Sequence, residues 1–364
     1  MSHFPLQLRT SASLDFASQR KMHFMPEPSD VNDDRAALDL LVRGFQVSRM
    51  LRLVADFGVA DRIPPDGNVA IDALAAECGV QSQPLIRVLR ALAAFDVFSV
   101  APDGRIAHSA RSRLLRTDTP NSMHHSARFW AAPGSWAAWG KLDAAMTGGV
   151  PHVAAWNTTR FEYLRAHPDE ARGFDAMMAN FPDNRHPAIA AAYDFSGLRL
   201  IADVGGGNGA ALRYILSRFT ALRGLLFDRD DVVNAIQPAD LLGGRIELSG
   251  GNFFTNVPGG ADVYMLIRVL HDWPDEDCLR ILRSCRTAMG SDAVLLIGDQ
   301  ILEPDPARGR PTSYLIDAQM LAMFGTARER TSDEFASLLS ESGFALRRVI
   351  PTQSPIWIME AVPR

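Results

Sequence analysis

The chain has 364 residues, of which 37 are basic and 42 acidic, and 47% of it is hydrophobic. This composition is typical of a globular protein and excludes disordered and collagen-like chains. At roughly 150 residues per domain, the length predicts two domains. The net charge of −5 provides no general attraction for phosphate backbones or anionic lipid, so we expect neither nucleic acid nor a membrane as a partner.

The three cysteines, Cys78, Cys278 and Cys285, lack the paired short spacings of a disulfide framework or a zinc site. They favour a reducing cytoplasm. Residues 1–34 contain no sustained apolar stretch and are predicted to form a flexible arm. No run of about 18 uncharged apolar residues occurs, so no membrane-spanning segment is predicted.

The first predicted element after the arm is a helix with a wide apolar face, from Arg35 to about Phe57. Two helices and a hairpin follow, predicted at Ile71–Cys78, Pro84–Phe95, Val97–Val100 and Arg105–Ala107. This order indicates a winged helix. A DNA-binding regulator is one interpretation, but the second helix offers only Arg87 and Arg90, so packing between proteins is favoured.

Residues 120–190 are predicted to be helical and are rich in aromatic side chains. Beyond them, short apolar runs alternate with helices, which is typical of a parallel sheet covered by helices. The predicted strands are Leu200–Val204, Arg223–Phe227, Arg245–Leu248, Ala261–Ile267, Ala293–Ile297, Phe344–Ile350 and Ile356–Ala361. The last two are joined by too few residues for a helical crossover and should form an antiparallel hairpin.

The predicted fold is therefore α/β. Residues 191–364 are expected to form a Rossmann-like domain with a mostly parallel seven-stranded sheet and an antiparallel C-terminal hairpin. Residues 35–190 are expected to form a mainly helical domain that contains the winged helix.

A glycine-rich turn follows the first strand of this sheet. It reads Gly205-Gly206-Gly207-Asn208-Gly209-Ala210 and opens a helix, and Asp228 ends the next strand. Glycines there let a ligand approach the backbone, and an acid at the second strand is placed to bind a ribose. The motif alone does not separate a nicotinamide site from a site for another adenosine cofactor, or either from a tight structural turn.

Further motifs follow in a fixed order. They are Asp203-Val204-Gly205-Gly206-Gly207-Asn208-Gly209, Phe227-Asp228-Arg229, Gly251-Asn252-Phe253-Phe254, His271-Asp272-Trp273-Pro274-Asp275-Glu276 and Glu329-Arg330-Thr331. This set resembles the S-adenosylmethionine-dependent O-methyltransferases of the caffeic-acid and hydroxyindole type. It is similar to their bacterial members in secondary metabolism, such as phenazine and anthracycline methyltransferases. The resemblance covers about residues 35–364.

The resemblance implies S-adenosylmethionine as cofactor and S-adenosylhomocysteine as product. No metal is predicted, because His124 and His125 are adjacent and would diverge along a helix. Gly205 and Gly207 would line the methionine part, Asp228 would accept hydrogen bonds from the ribose hydroxyls, and Asn252 and Phe253 would hold the adenine. Asn252 replaces the aspartate usual in the family, and its amide oxygen can accept the adenine amine. The full implied set is Asp203, Gly205, Gly207, Asp228, Arg229, Asn252, Phe253 and Arg268. For Arg268, an ion pair or a surface position is an equal alternative.

His271 is the candidate general base, because histidine titrates near neutrality and can accept a hydroxyl proton. By resemblance, Glu329 and Asp299 flank it, Asp299 being one methylene shorter than the family's glutamate. The implied aromatic-substrate pocket is Phe129, Trp130, Phe174, Met178, Phe181, Met320 and Phe324.

A homodimer is predicted from the broad apolar face of residues 38–54, which a small first domain would not cover fully. The predicted reaction is methylation of an aromatic hydroxyl. Two alternatives are base-free N-methylation of a heteroaromatic ring and a relative that keeps the cofactor without methylating. Retention of His271 argues against the latter.

Overall fold

The computed structural model describes residues 31–179 and 184–364. The helices are α1 Val31–Val42, α2 Gly44–Asp56, α3 Ile71–Cys78, α4 Ser82–Ala93, α5 Ala110–Arg113, α6 His124–Trp130, α7 Pro133–Trp139, α8 Pro151–Trp156, α9 Arg160–Ala166, α10 Pro168–Ala179, α11 Arg185–Ala192, α12 Ala210–Arg218, α13 Asp230–Val233, α14 Asp275–Ala288, α15 Pro311–Phe324 and α16 Ser332–Glu341. The strands are β1 Asn68–Ala70, β2 Phe98–Val100, β3 Arg105–His108, β4 Leu200–Val204, β5 Arg223–Asp228, β6 Ile246–Gly250, β7 Val263–Ile267, β8 Val294–Leu302, β9 Arg330–Thr331, β10 Phe344–Ile350 and β11 Ile356–Pro363. Short 3₁₀ turns occupy Ala60–Arg62, Leu142–Thr147, Pro238–Leu241 and Leu270–Asp272.

Among the described residues, those up to Arg49 belong to one compact unit and those from Met50 onward to another. The first unit carries α1 and the start of α2, where the sequence predicted one continuous helix. The structure breaks that helix at Arg43, beside Gly44, a residue that weakens a helix interior. Helix α1 begins at Val31, so residues 31–34 of the predicted arm are helical, and residues 1–30 lie outside the described part of the chain.

The winged helix lies in the second unit. Helices α3 and α4 pack beside a three-stranded sheet in the order β1-β3-β2, and Leu74, Leu89 and Ile106 are fully buried in its core. The hairpin of β2 and β3 confirms the prediction. Strand β1 was missed, because three residues are too short to show the alternation that marks a strand.

The larger sheet follows the order β10-β11-β8-β7-β4-β5-β6. Strands β8, β7, β4, β5 and β6 are parallel, and β10 and β11 form the antiparallel edge, which confirms the predicted seven-stranded architecture. The two-residue strand β9, not predicted, pairs with the end of β8. Because β5 and β7 lie on opposite sides of β4, a crevice opens at the carboxyl end of β4, where such sheets bind ligands.

Helices cover both faces of this sheet. Helices α14 and α16 bury one face, and α11 and α12 bury the other. Since Ile189 and Ala190 of α11 belong to the sheet's core, the predicted domain boundary after residue 190 cuts through a helix that packs on the sheet. Cys278 and Cys285 also lie in the core, where burial raises each thiol pKa to about 12.

Helix α15 connects the helical region to the sheet. Ala322 and Met323 pack against Ala138 of α7, and the Trp139 indole N–H donates to Gln319 Oε1 at 2.7 Å. Within the described ranges, no helix has the length and apolar character needed to cross a membrane.

Candidate active site

The glycine-rich turn leaves β4 at the crevice. Gly205 and Gly207 have φ of 72° and 56°, a region that side chains with a Cβ rarely adopt. A Cβ on Gly206 would lie 2.5 Å from Asp203 Oδ2. The Gly205 N–H donates to the Phe227 carbonyl at 2.8 Å, which ties the turn to β5.

Asp228 lies at the end of β5 and faces this turn. Its Oδ2 accepts from the Gly207 N–H at 2.8 Å, and its Oδ1 accepts from the Arg229 N–H at 2.7 Å. Each oxygen keeps a lone pair for a further donor. The Arg229 guanidinium pairs with Asp231 at 3.0 Å, so only the backbone of Arg229 contacts Asp228.

Asp203 is 1% exposed, and neither carboxylate oxygen has a hydrogen-bond partner among the described residues. Burial, together with the charge of Asp228, raises its pKa to about 7. An unsatisfied buried acid costs free energy unless a cation or a donor joins it. The glycine turn therefore lies against an acid to which no described residue donates a hydrogen bond.

Asn252 and Phe253 follow β6. The Phe253 ring contacts Phe254 and Trp273 edge to face, with centroids 4.9 and 5.9 Å away. Asn252 Oδ1 already accepts from the Phe254 N–H at 2.9 Å, so an adenine amine would use its second lone pair.

The carboxyl ends of β7 and β8 carry a second group of polar side chains. His271 is buried on the 3₁₀ turn after β7, Asp299 lies on β8, and Glu329 immediately precedes β9. His271 Nδ1 is 3.4 Å from Glu329 Oε1, and its Nε2 is 3.4 Å from Asp272 Oδ1. The structure thus brings His271 and Glu329 together from segments about 60 residues apart.

Arg268 occupies the centre of this group, in agreement with the ion-pair alternative that the sequence left open for it. Its guanidinium donates to Asp299 Oδ1 at 2.7 Å, to Glu329 Oε1 at 2.9 Å and to His271 Nδ1 at 2.9 Å. Its φ of 56° is uncommon outside glycine. Burial disfavours its charge, but the two carboxylates outweigh this and raise its pKa. Arg268 supplies the positive charge that these carboxylates need, and it lies in one cluster with His271.

The three titratable partners respond differently. Burial raises the pKa of Asp299 and opposes ionisation of Glu329, but Arg268 and His271 hold the Glu329 pKa at about 2. Burial and Arg268 disfavour a charged His271, whereas Asp272, Asp299 and Glu329 favour it, and the balance raises its pKa above 6.5. Asp299 Oδ2 has no partner in the described ranges, so this shorter acid contacts Arg268 with only one oxygen.

Arg330 fixes the turn that carries His271. It is fully buried, and its guanidinium donates to the carbonyls of Leu270 and Trp273 at 2.9 and 2.8 Å and to Asp275 at 2.7 Å. The Arg328 N–H also donates to the His271 carbonyl at 3.1 Å. Strand β9 and the His271 turn are thereby held as one piece.

The structure places the predicted substrate residues in two groups. On α6 and α10, the rings of Phe129 and Phe174 contact each other at 5.7 Å, near Trp130. On α15, Phe324 contacts Phe161 at 5.5 Å. Met178 and Met320 lie on α10 and α15 respectively, and Phe181 lies outside the described residues.

Several residues of the site were missed or given another role from sequence. Asp317 of α15 accepts from the Glu329 N–H at 2.9 Å, and Phe161 contacts a predicted pocket residue. Asp299 comes from β8 and no local motif marks it, whereas Glu329 begins the Glu329-Arg330-Thr331 motif just before β9. Phe161 lies near the start of α9, and its position in the sequence does not show whether its ring faces a pocket.

Known proteins share this organisation. Residues 139–345 match the O-methyltransferase domain, and residues 40–118 match the O-methyltransferase dimerisation domain. A phenazine O-methyltransferase of Lysobacter antibioticus is 37% identical over 89% of this chain and 94% of its own length. A phenazine-1-carboxylate N-methyltransferase of Pseudomonas aeruginosa is 32% identical over 85% of this chain and 92% of its own.

Solved structures agree. A mitomycin 7-O-methyltransferase superposes with a TM-score of 0.82 at 33% identity, covering 91% of this chain and 98% of its own. An O-methyltransferase from neocarzinostatin biosynthesis, in complex with S-adenosylmethionine and a hydroxynaphthoic acid, superposes with a TM-score of 0.74 at 28% identity and covers 87% and 96% of the two chains. The chain belongs to the O-methyltransferase family and is an S-adenosylmethionine-dependent methyltransferase.

Proposed function

We propose that this enzyme methylates a hydroxyl group of an aromatic secondary metabolite, with His271 as the general base. The observation that carries this proposal is the buried contact between His271 Nδ1 and Glu329 Oε1, at the carboxyl edge of the sheet that also bears the glycine turn. A carboxylate that accepts a hydrogen bond from the Nδ1–H of a histidine orients the ring and stabilises its protonated form. That arrangement suits removal of a hydroxyl proton.

Bound S-adenosylmethionine supplies an electrophilic methyl group. The side chains that would hold it are Asp228 at the ribose, Asn252 and Phe253 at the adenine, and Asp203 beneath the glycine turn. Asp203 is the observation that best supports a cofactor at this turn. Its two buried oxygens have no hydrogen-bond partner among the described residues and could accept from a positive or hydrogen-donating group.

The protein's own chemistry is proton removal and positioning. A phenol of pKa about 10 exceeds an ordinary imidazole of about 6.5 by some 3.5 units, or roughly 5 kcal/mol. The acids around His271 raise its pKa and narrow this gap. As the oxygen attacks, Nε2 takes its proton and Glu329 stabilises the imidazolium through Nδ1.

Aromatic side chains support a flat acceptor. We assign its walls to Phe129, Trp130 and Phe174 on one side and to Met320 and Phe324 on the other. Aromatic rings and flexible thioethers pack well on apolar ring systems. The naphthoic acid bound by the neocarzinostatin enzyme is an acceptor of this chemical class.

The N-terminal helices favour a homodimer. Leu38, Leu41, Val42 and Phe45 are each more than half exposed, and they lie in or next to the region that matches the dimerisation domain. An apolar face of this kind is stable in water when a second copy covers it. Light scattering of the full-length protein tests this, and a monodisperse active monomer would contradict it.

N-methylation of a heteroaromatic ring is the second candidate. One relative is named for that reaction. In addition, Arg268 donates to His271 Nδ1, which leaves the neutral ring with its proton on Nε2 and without a free base. A neutral ring nitrogen attacks a methyl group without prior deprotonation.

The deciding experiment combines methyl-labelled S-adenosylmethionine with a panel of phenols, phenazines and hydroxynaphthoates. NMR then locates the label on the product. We expect methyl transfer to oxygen, with loss of turnover in His271→Ala. Labelling at nitrogen, with full turnover in His271→Ala, would replace the first candidate with the second.

A further inference from the structure

We propose that Arg268 is a positioning residue that decides which ring nitrogen of His271 carries the proton. The proposal rests on the proposed role of His271 as a base. It assigns to the ligand-free enzyme a resting tautomer in which that base is not yet available.

The hydrogen-bond donors beside His271 determine which of its ring nitrogens carries the proton. A guanidinium has only hydrogen-bond donors, and Arg268 Nη2 lies 2.9 Å from His271 Nδ1. Nδ1 must therefore offer a lone pair. In the neutral ring the proton then resides on Nε2, where Asp272 Oδ1 lies 3.4 Å away.

The second step is the competition for Nδ1. Glu329 Oε1 lies 3.4 Å from Nδ1, farther than the arginine, and that same oxygen accepts from Arg268 Nη2 at 2.9 Å. When Nδ1 carries the proton it can donate only to Glu329, and Arg268 must withdraw from it. Arg268 and Glu329 thus stabilise opposite tautomers of one ring.

The third step concerns the stability of this arrangement. Arg268 is held in a left-handed backbone conformation, and its N–H donates to the Gly298 carbonyl at 2.8 Å. Strained conformations of this kind persist where surrounding contacts fix them, and they cluster at functional sites. The carboxylates of Asp299 and Glu329, which accept from the guanidinium at 2.7 and 2.9 Å, hold it beside His271.

The position of the proton on His271 has a consequence for catalysis. The charged groups that face His271 are Arg268, Asp272, Asp299 and Glu329. For Nε2 to accept a hydroxyl proton, the proton must first reside on Nδ1 and be directed to Glu329. Arg268 lowers the population of that competent form in the ligand-free enzyme.

Histidine-selective ¹⁵N labelling of the full-length wild-type protein tests the proposal directly. Long-range ¹H–¹⁵N correlations, recorded above the His271 pKa and assigned with His271→Asn, distinguish the two tautomers. We expect the proton on Nε2. A proton on Nδ1 in the ligand-free wild type overturns the proposal.

Arg268→Lys sharpens the test. A lysine ammonium keeps the positive charge beside the carboxylates but lacks the second guanidinium nitrogen, Nη2, which reaches His271 Nδ1. We expect the ratio of the Nδ1–H to the Nε2–H form to rise about tenfold or more. Arg347→Lys is the matched control. Arg347 of β10 also pairs with a buried carboxylate, that of Glu360 on β11, at 3.1 Å. An unchanged ratio in a folded Arg268→Lys protein contradicts the proposal.

The pH profile of turnover separates positioning from a merely structural role. In Arg268→Lys the midpoint of the plot of turnover against pH should move relative to wild type, while KM for S-adenosylmethionine stays the same. Loss of turnover in His271→Ala tests the general base independently. If the tautomer is as proposed but His271→Ala is fully active, the base assignment fails and the inference about Arg268 stands.

Discussion

Two buried acidic sites lie at the carboxyl edge of the same sheet and differ in their partners. Around Arg268, most acceptors of Asp299, Glu329 and His271 are filled by a guanidinium. Beneath the glycine turn, both oxygens of Asp203 lack a partner in the described ranges. One guanidinium offsets part of the charge of the two carboxylates in the first arrangement, whereas no described residue donates to Asp203 in the second. This contrast agrees with the proposed roles, in which the first group acts on a proton and the second binds the cofactor.

The largest effect is expected at the base. His271→Ala should lower turnover by about 10² to 10⁴ with little change in cofactor affinity, because it removes an interaction made with the reacting oxygen. Steady-state kinetics and calorimetry measure the two quantities. In the wild type the rate should rise with pH through a midpoint above 6.5, since only neutral imidazole accepts a proton. A flat profile would contradict the assignment.

Asp228→Ala should produce the largest loss of cofactor affinity, about 10- to 100-fold, because both ribose acceptors disappear and the Gly207 and Arg229 N–H groups lose theirs. Calorimetric titration with S-adenosylhomocysteine measures it. Asp231→Ala is the control, since Asp231 is an exposed partner of the Arg229 side chain. Equal losses in both variants would refute the assignment.

Glu329→Gln should reduce turnover by about tenfold, less than loss of the base. The amide keeps the shape of the side chain but no longer stabilises the imidazolium with a full charge. Turnover across pH is the measurement, and the midpoint should fall because the glutamate charge that raises the His271 pKa is gone. A midpoint that rises would contradict this role.

The smallest effect distinguishes the second acidic site. Because burial and Asp228 raise the pKa of Asp203 from 3.8 to about 7, its protonated form stabilises the ligand-free fold below pH 3.8, and this contribution is lost as pH rises through about 7. Asp203→Asn removes that dependence, so the variant should gain stability over wild type as pH rises from 5 to 8 in urea unfolding. Cofactor affinity should fall several-fold at pH 8 and change little at pH 5. Identical pH dependence in both proteins would show that Asp203 does not titrate in this range.

The sequence predicted the main sheet well because buried parallel strands are continuous apolar runs. The strands β4 and β10 match their predicted bounds, and four others of the main sheet match within two residues at each end. Strand β8 runs to Leu302, past its predicted end at Ile297. Strands β1 and β9 have three and two residues, so neither shows a periodic pattern. The break at Arg43 was missed because the apolar spacing continues across it.

The site was predicted unevenly for a similar reason. Gly205, Gly207 and Asp228 come from contiguous motifs at neighbouring strands, and the structure brings them together. The environment of Arg268 depends on Asp299 and Glu329, which topology, not spacing, places beside it. The role of Arg229 at the cofactor stays a prediction, because its exposed side chain pairs locally with Asp231 and its backbone N–H contacts Asp228.

Helix α15 has a consequence for how acceptor and base communicate. Its Gln319 accepts from the Trp139 indole of the helical region, and two residues earlier its Asp317 accepts from the backbone of Glu329. The proposed wall of the acceptor pocket and the carboxylate next to His271 are therefore attached to the same helical turn. We expect that an acceptor whose shape displaces this turn also displaces Glu329, so that a poor fit at the ring slows proton removal as well as weakening binding.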